Sequence, residues 1–204
     1  VRETLARPLV PVYMPHVDLR PELSKPAYRK AFTRIKRAIV DGDIYQMNYA
    51  YRFSGRSDVD RRHLFVSLYH RNEAPRASYF ESAACTLLSL SPEHFLTVDG
   101  SDVRTSPIKG TRPRGATPGL DARMRRELER SPKEQAELNM IVDLMRNDLG
   151  RVCEPGSVRV TMHREIQANA TVWHTYSVVE GRLEKNTPVT DVFRALLPGG
   201  SVTG

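Results

Sequence analysis

Cysteine is scarce: the 204 residues hold two, Cys85 and Cys153, far apart and without a CxxC spacing. That excludes a secreted disulfide scaffold and leaves two thiols read as reduced and packed. Long apolar runs are missing as well. Nothing approaches the roughly 18 residues of a membrane helix, and residues 1–7 carry no apolar core of a secretory signal. The sequence therefore reads as a soluble, cytoplasmic protein. It has no internal repeat, no low-complexity tract and no clean linker, so a single domain is expected. A Gly-x-x-x-x-Gly-Lys-Ser/Thr run is absent, which gives nucleotide hydrolysis no support.

Charge is plentiful in both signs. Against 31 Lys+Arg stand 24 Asp+Glu, a formal net charge of +7, with 40% hydrophobic and 27% charged residues. This balance suits a globular chain with a sizeable core and excludes a disordered polyampholyte. The cationic excess invites a nucleic-acid reading. The arginines are scattered, however (Arg20, Arg34, Arg61, Arg112, Arg125, Arg159, Arg182), and the clusters Asp60-Arg61-Arg62 and Arg125-Arg126-Glu127 include acids. A solvated basic surface, or a funnel for a small anion, accounts for the charge better.

Residues 1–23 carry Pro8, Pro11, Pro15 and Pro21, with Pro26 just beyond, and predict an irregular or strand-edge entry. Ser24 then caps a helix whose apolar face is Tyr28, Ala31, Phe32, Ile35, Ala38 and Ile39, ended by Gly42. Residues 44–53 alternate as a strand, with Tyr45, Met47, Tyr49, Tyr51 and Phe53 on one side and a polar second face that includes Gln46 and Asn48. Residues 58–70 form a helix candidate on Leu64, Phe65, Leu68 and Tyr69. Strand-like runs over 78–90, 93–98 and 102–106 follow, punctuated by Ser91-Pro92 and Asp99-Gly100 as antiparallel connections. Helices are expected over 121–130 and from Ser131 to Gly150, strand character over 157–183, and a last amphipathic helix over 188–197. The interleaving argues for an α+β fold with mostly antiparallel sheets.

Several residues could carry chemistry. Ser131 and Glu134 have capping-box spacing, with Pro132 at the first turn and Gly150 past the end of the helix. Glu134 and Glu137, three apart, share a helix face and could approach one Mg²⁺; equally, Glu134 could complete the cap and Glu137 favour the positive helix end. Lys109 sits in a loop rich in Gly and Pro, where it is either a nucleophile made neutral by desolvation or a solvated charge, and Gly110 permits close backbone approach to a ligand. The glycines and hydroxyls of Pro198-Gly-Gly-Ser-Val-Thr-Gly204 could cradle a carboxylate or simply turn. Glu93 and His174 are single titratable groups that could act as acid or base.

In combination these segments say more. The runs Gly42-Asp-Ile-Tyr-Gln-Met-Asn48, Ser91-Pro-Glu-His-Phe95, Ser106-Pro-Ile-Lys-Gly-Thr111, Glu137 through Arg151, Trp173-His174 and Pro198 to Gly204 resemble, in order and spacing from Ser24 onward, the chorismate-binding enzyme family. The resemblance implies antiparallel sheets forming a sandwich with helices packed outside. Within the family the chain looks most like the branch that aminates chorismate at C4 for para-aminobenzoate and folate. That branch carries PIKGT, as here, where anthranilate and isochorismate synthases carry a PIAGT-like motif. The water-adding members place a lysine base at the position aligned with Gln46, a neutral residue unable to activate water.

By resemblance, the lysine matching Lys109 attacks ring carbon 2, and the glutamate matching Glu93 protonates the departing 4-hydroxyl before ammonia displaces the lysine. The neutral amine and the neutral acid are both forms that burial favours. Glu134 and Glu137 match metal positions for Mg²⁺. Gly110, Thr111, His174, Gly200, Ser201 and Thr203 match substrate contacts, and the strand reading adds Gln46 and Asn48 as a ligand-facing pair. The implied partners are chorismate and a glutamine amidotransferase subunit supplying ammonia, with no nucleic acid and no membrane.

Two departures from the family pattern matter. Relatives continue past the PGGSxTG segment with further strands and a second set of acidic metal ligands, so the 204-residue chain by itself is expected to bind chorismate weakly and turn over poorly. The run Arg71-Asn-Glu-Ala-Pro-Arg-Ala-Ser-Tyr79 departs from an NPSPY-like form, which leaves any tryptophan pocket open. Anthranilate-type or aminodeoxyisochorismate synthesis is the alternative chemistry. A non-catalytic basic binding module is the alternative class.

Overall fold

A computed structural model of the chain describes residues 17–200, in two compact units that divide between Ser91 and Pro92. The first unit begins with β1 (Arg20–Pro21) and α1 (Lys25–Val40). The Ser24 hydroxyl accepts from the Ala27 N–H, Pro26 lies in the first turn, and Gly42 takes φ +80° past the end, so this helix starts and stops where its sequence signals put it. The strand expected over 44–53 shrinks to β2 (Phe53–Ser54), paired antiparallel with β1. Its partner segment turns into α1 at Ser24, and among the described residues no strand pairs with 44–51. The alternation itself is real, because Tyr49 and Tyr51 both bring their rings to Tyr28, at 5.7 and 5.6 Å.

Helix α2 (Arg61–Asn72) starts later than expected because the Asp60 carboxylate accepts from the N–H groups of Arg62 and His63. It packs Phe65 against Tyr79 of a hairpin, β3 (Arg76–Glu81) and β4 (Thr86–Ser91). The single run expected over 78–90 is split by a turn in which the Ser82 N–H donates to the Cys85 carbonyl at 2.9 Å.

The second unit holds β5 (His94–Asp99), β6 (Asp102–Ser106), β7 (Ile108–Pro113), α3 (Pro118–Glu129), α4 (Pro132–Gly150), β8 (Arg159–Ala168), β9 (Val172–Arg182) and α5 (Val189–Leu196). Its sheet runs β5-β6-β9-β7, with β8 along the other edge of β9, and every ladder is antiparallel as expected. As the most paired strand, β9 is the most buried, at His174, Thr175, Ser177, Val178 and Val179. Against it lies α4, whose Leu138, Ile141, Val142, Met145 and Leu149 follow helical spacing and pack with Val103, Val179, Val192 and Leu196. Each such side chain contributes about 1.5–3 kcal/mol by burial. Thr117 caps α3 three residues ahead of the expected start, and Gly150 is the last residue of α4 rather than the one beyond it. Both cysteines are free, and burial pushes the Cys153 thiol up to about 11.

Candidate active site

The site grows from a defect in one ladder. On β7, Ile108 pairs with Tyr176 and Thr111 with His174, so Lys109 and Gly110 stand opposite the single residue Thr175 of β9. That is a β-bulge, and it places Lys109 on a strand where the sequence suggested a loop. The glycine signal was the bulge itself: Gly110 has φ +93°, and a Cβ there would come within 2.9 Å of Leu128 Cδ1 and 3.1 Å of Glu134 Cβ. Lys109 is half-buried beside it.

Three further groups gather at the bulge. Glu93, in the turn before β5, accepts from the Ile108 N–H at 3.0 Å through Oε1, which ties its carboxylate to the residue preceding Lys109. His174, only 7% exposed, sets Nδ1 3.0 Å from the Thr111 hydroxyl. Burial pushes its pKa below the ordinary histidine value, against the opposing pull of a hydrogen bond to the Gly110 backbone and the charge of Glu93. The imidazole is therefore held neutral and can donate from one nitrogen and accept at the other. Thr175, across from the bulge, buries a hydroxyl that has no hydrogen-bond partner.

Helix α4 brings the acids. The Ser131 hydroxyl accepts from the Glu134 N–H, but the return arm of the capping box does not form, because the Ser131 N–H donates to the Leu128 carbonyl. The Glu134 carboxylate instead takes Arg112 at 3.2 Å, and its Oε2 stands 3.3 Å from where a Gly110 Cβ would be. One turn on, Glu137 is more open, with a side chain 39% exposed and Lys133 at 3.7 Å. Carboxylates are hard oxygen donors of the kind that suit a cation such as Mg²⁺, and here each of the two is paired with a cationic side chain, Arg112 or Lys133. No group of three His, Cys, Asp or Glu capable of holding a metal occurs among the described residues.

Of the residues singled out from sequence, the bulge thus gathers Glu93, Lys109, Gly110, Thr111 and His174, with Glu134 against it. Gly200 is buried on α4, where a Cβ would meet Leu144 Cδ2 at 2.2 Å. Ser201 and Thr203 lie outside the described residues. Gln46, half-buried, and Asn48, exposed, belong to the extended segment of the first unit. Sequence reasoning passed over Arg112 as the partner of Glu134. Its position two residues beyond Gly110 on an alternating strand was the available signal.

Comparison with known proteins is consistent in kind. The chorismate binding enzyme family model matches residues 6–204. The chain is 43% identical to aminodeoxychorismate synthase component 1 of Klebsiella aerogenes, over 91% of this chain and 41% of that protein. It is 39% identical to an anthranilate synthase component 1 of Haloarcula marismortui, over 90% of this chain and 36% of that one. Anthranilate synthase component I from Streptococcus pneumoniae superposes with a TM-score of 0.84 at 28% identity, covering 100% of this chain and 46% of that structure. The chain spans about two fifths of the length of the curated relatives it matches.

Proposed function

The chain belongs to the chorismate-binding enzymes, and from that premise we propose that its protein replaces the 4-hydroxyl of chorismate with an amino group, giving 4-amino-4-deoxychorismate. The observation that carries this reading is the bulge, which sets the lysine of a Pro-Ile-Lys-Gly-Thr run beside a carboxyl group bound to the preceding N–H.

In this reading the Lys109 Nζ bonds to ring carbon 2 as the bond from carbon 4 to its hydroxyl breaks, both double bonds of the ring diene shifting one place along between them. Glu93 gives the proton with which the hydroxyl departs as water. Ammonia then bonds to carbon 4, the bond to Lys109 breaks, and the surplus proton on the new amine returns to Glu93. Chorismate plus ammonia thus gives product plus water, with lysine and acid restored and the enolpyruvyl ether untouched. His174 and Thr111 orient the ring substituents, and Gly110 lets the backbone approach them. Glu134 and Glu137 would hold Mg²⁺, which when bound neutralises the ring carboxylate and draws electrons from the ring. A glutamine amidotransferase would supply the ammonia, which the para-aminobenzoate and folate assignment requires.

Similarity to anthranilate synthase component 1 at 39% identity favours a second reading, in which the same glutamates serve anthranilate formation. Product analysis separates the two. Amination at C4 by the lysine route is lost in Lys109→Ala, whereas anthranilate formation survives that change.

A further inference from the structure

We propose that Asp121 and Trp173 are positioning residues which, through helix α3, hold the Lys109–Gly110 bulge and His174 in register; the inference rests on the reading of that bulge as the reacting site. Neither residue reaches the bulge itself. Asp121 takes four donors: Arg114 Nε at 2.8 Å and Nη2 at 2.7 Å, the Gly115 N–H at 2.9 Å and the Trp173 indole N–H at 2.9 Å. The Arg114 guanidinium also lies 4.4 Å over the Trp173 ring and donates to the Asn169 carbonyl. This clasp closes the end of the β7–β9 ladder, where Arg112 faces Trp173 one step from the Thr111–His174 pair.

Helix α3 is fastened at one end to the turn that follows β7 and at the other to β7 itself. At its start Gly115 is so close that a Cβ there would stand 2.1 Å from the Asp121 nitrogen. At its far end Leu128 presses on Gly110, with only 2.9 Å left for a Cβ. The bulge therefore lies between two fixed points of one rigid helix, and a ladder with an extra residue needs such fixing, because a bulged strand can otherwise slip its register. The Arg114 guanidinium beside Asp121 holds that carboxyl well below the usual carboxylate range, so the clasp carboxylate stays charged at neutral pH.

The chain has one tryptophan, so Trp173 is its own reporter. The experiment compares Asp121→Asn and Trp173→Phe with Ile141→Val, a core change remote from the clasp, in the protein labelled with ¹⁵N-histidine. Asp121→Asn should shift Trp173 emission. Both clasp variants should move the His174 ring ¹⁵N resonances and raise its titration midpoint toward the ordinary value, with Glu93 the charged group facing it and its β8 partner Gln167 neutral. In ammonia-dependent turnover, kcat should fall about tenfold or more, as displacements of about 1 Å commonly cost, against a smaller change in KM. Ile141→Val should lower Tm without moving His174. The proposal is overturned if the clasp variants lower Tm while the His174 resonances and midpoint stay as in the parent. Should Asp121→Asn not fold, Trp173→Phe, which keeps an aromatic side chain but loses the N–H donor and part of the surface under Arg114, decides alone. If the parent forms no aminated product, the functional reading fails while the resonances still settle the clasp.

Discussion

The Thr111 hydroxyl and Nδ1 of His174 stand 3.0 Å apart as register partners across β7 and β9, directly beyond the bulge that carries Lys109. The pair is a structural rung of the ladder and, in the proposed reading, also offers polar groups to a ligand. Thr111→Val keeps the branched shape and removes the hydroxyl. It should cost about 1 kcal/mol in urea denaturation, the net worth of one hydrogen bond, and should raise KM for chorismate. An unchanged KM would detach this rung from substrate binding.

His174 also sets a pH dependence. Its folded pKa lies below the ordinary 6.5, so folding favours the neutral ring. That contribution is fully present above the unfolded value and is lost as pH falls through the folded one. Denaturation midpoints of the parent should therefore drop as pH falls from 6.5, and His174→Gln should lack this component. Asp121 acts in a lower window. Its contribution is present above the ordinary carboxylate value of 3.8 and is lost below it.

Gly110→Ala tests the bulge. At φ +93° an L side chain is strained, and the new methyl would meet Leu128 and Glu134. The expected loss is about 1–3 kcal/mol, with activity falling more than stability because Lys109 is the neighbouring residue. A variant as stable as the parent would mean that the bulge relaxes freely.

The acids of α4 and the arginine paired with Glu134 give opposite signs. Glu137→Gln should weaken Mn²⁺ binding, followed by electron paramagnetic resonance, about tenfold or more, equivalent to about 1.4 kcal/mol. Arg112→Gln should tighten it, because the guanidinium at 3.2 Å from Glu134 competes with a cation for that carboxylate. Equal affinity in all three proteins would remove both glutamates from metal binding.

Much of this was legible in the chain. The caps at Ser24 and Ser131, the apolar spacing of α4 and the antiparallel punctuation at Asp99-Gly100 act over a few residues, and each appears as read. The misreadings share a cause: they depend on what lies across a ladder. Residues 44–51 alternate like a strand but have no strand paired to them among the described residues, and Lys109 looks like a loop residue because its bulge exists only opposite Thr175. Glu134 likewise has capping-box spacing, but Arg112 on another element takes its carboxylate. Five of the residues singled out from sequence, Glu93, Lys109, Gly110, Thr111 and His174, lie together at the bulge, while their distances and the α3 clasp required the fold.

The most direct test is mass spectrometry of the products formed from chorismate, Mg²⁺ and ammonium by the protein and by its Lys109→Ala variant. The account predicts 4-amino-4-deoxychorismate from the parent and its loss or sharp reduction in the variant. Anthranilate or isochorismate, formed equally by both, would contradict it.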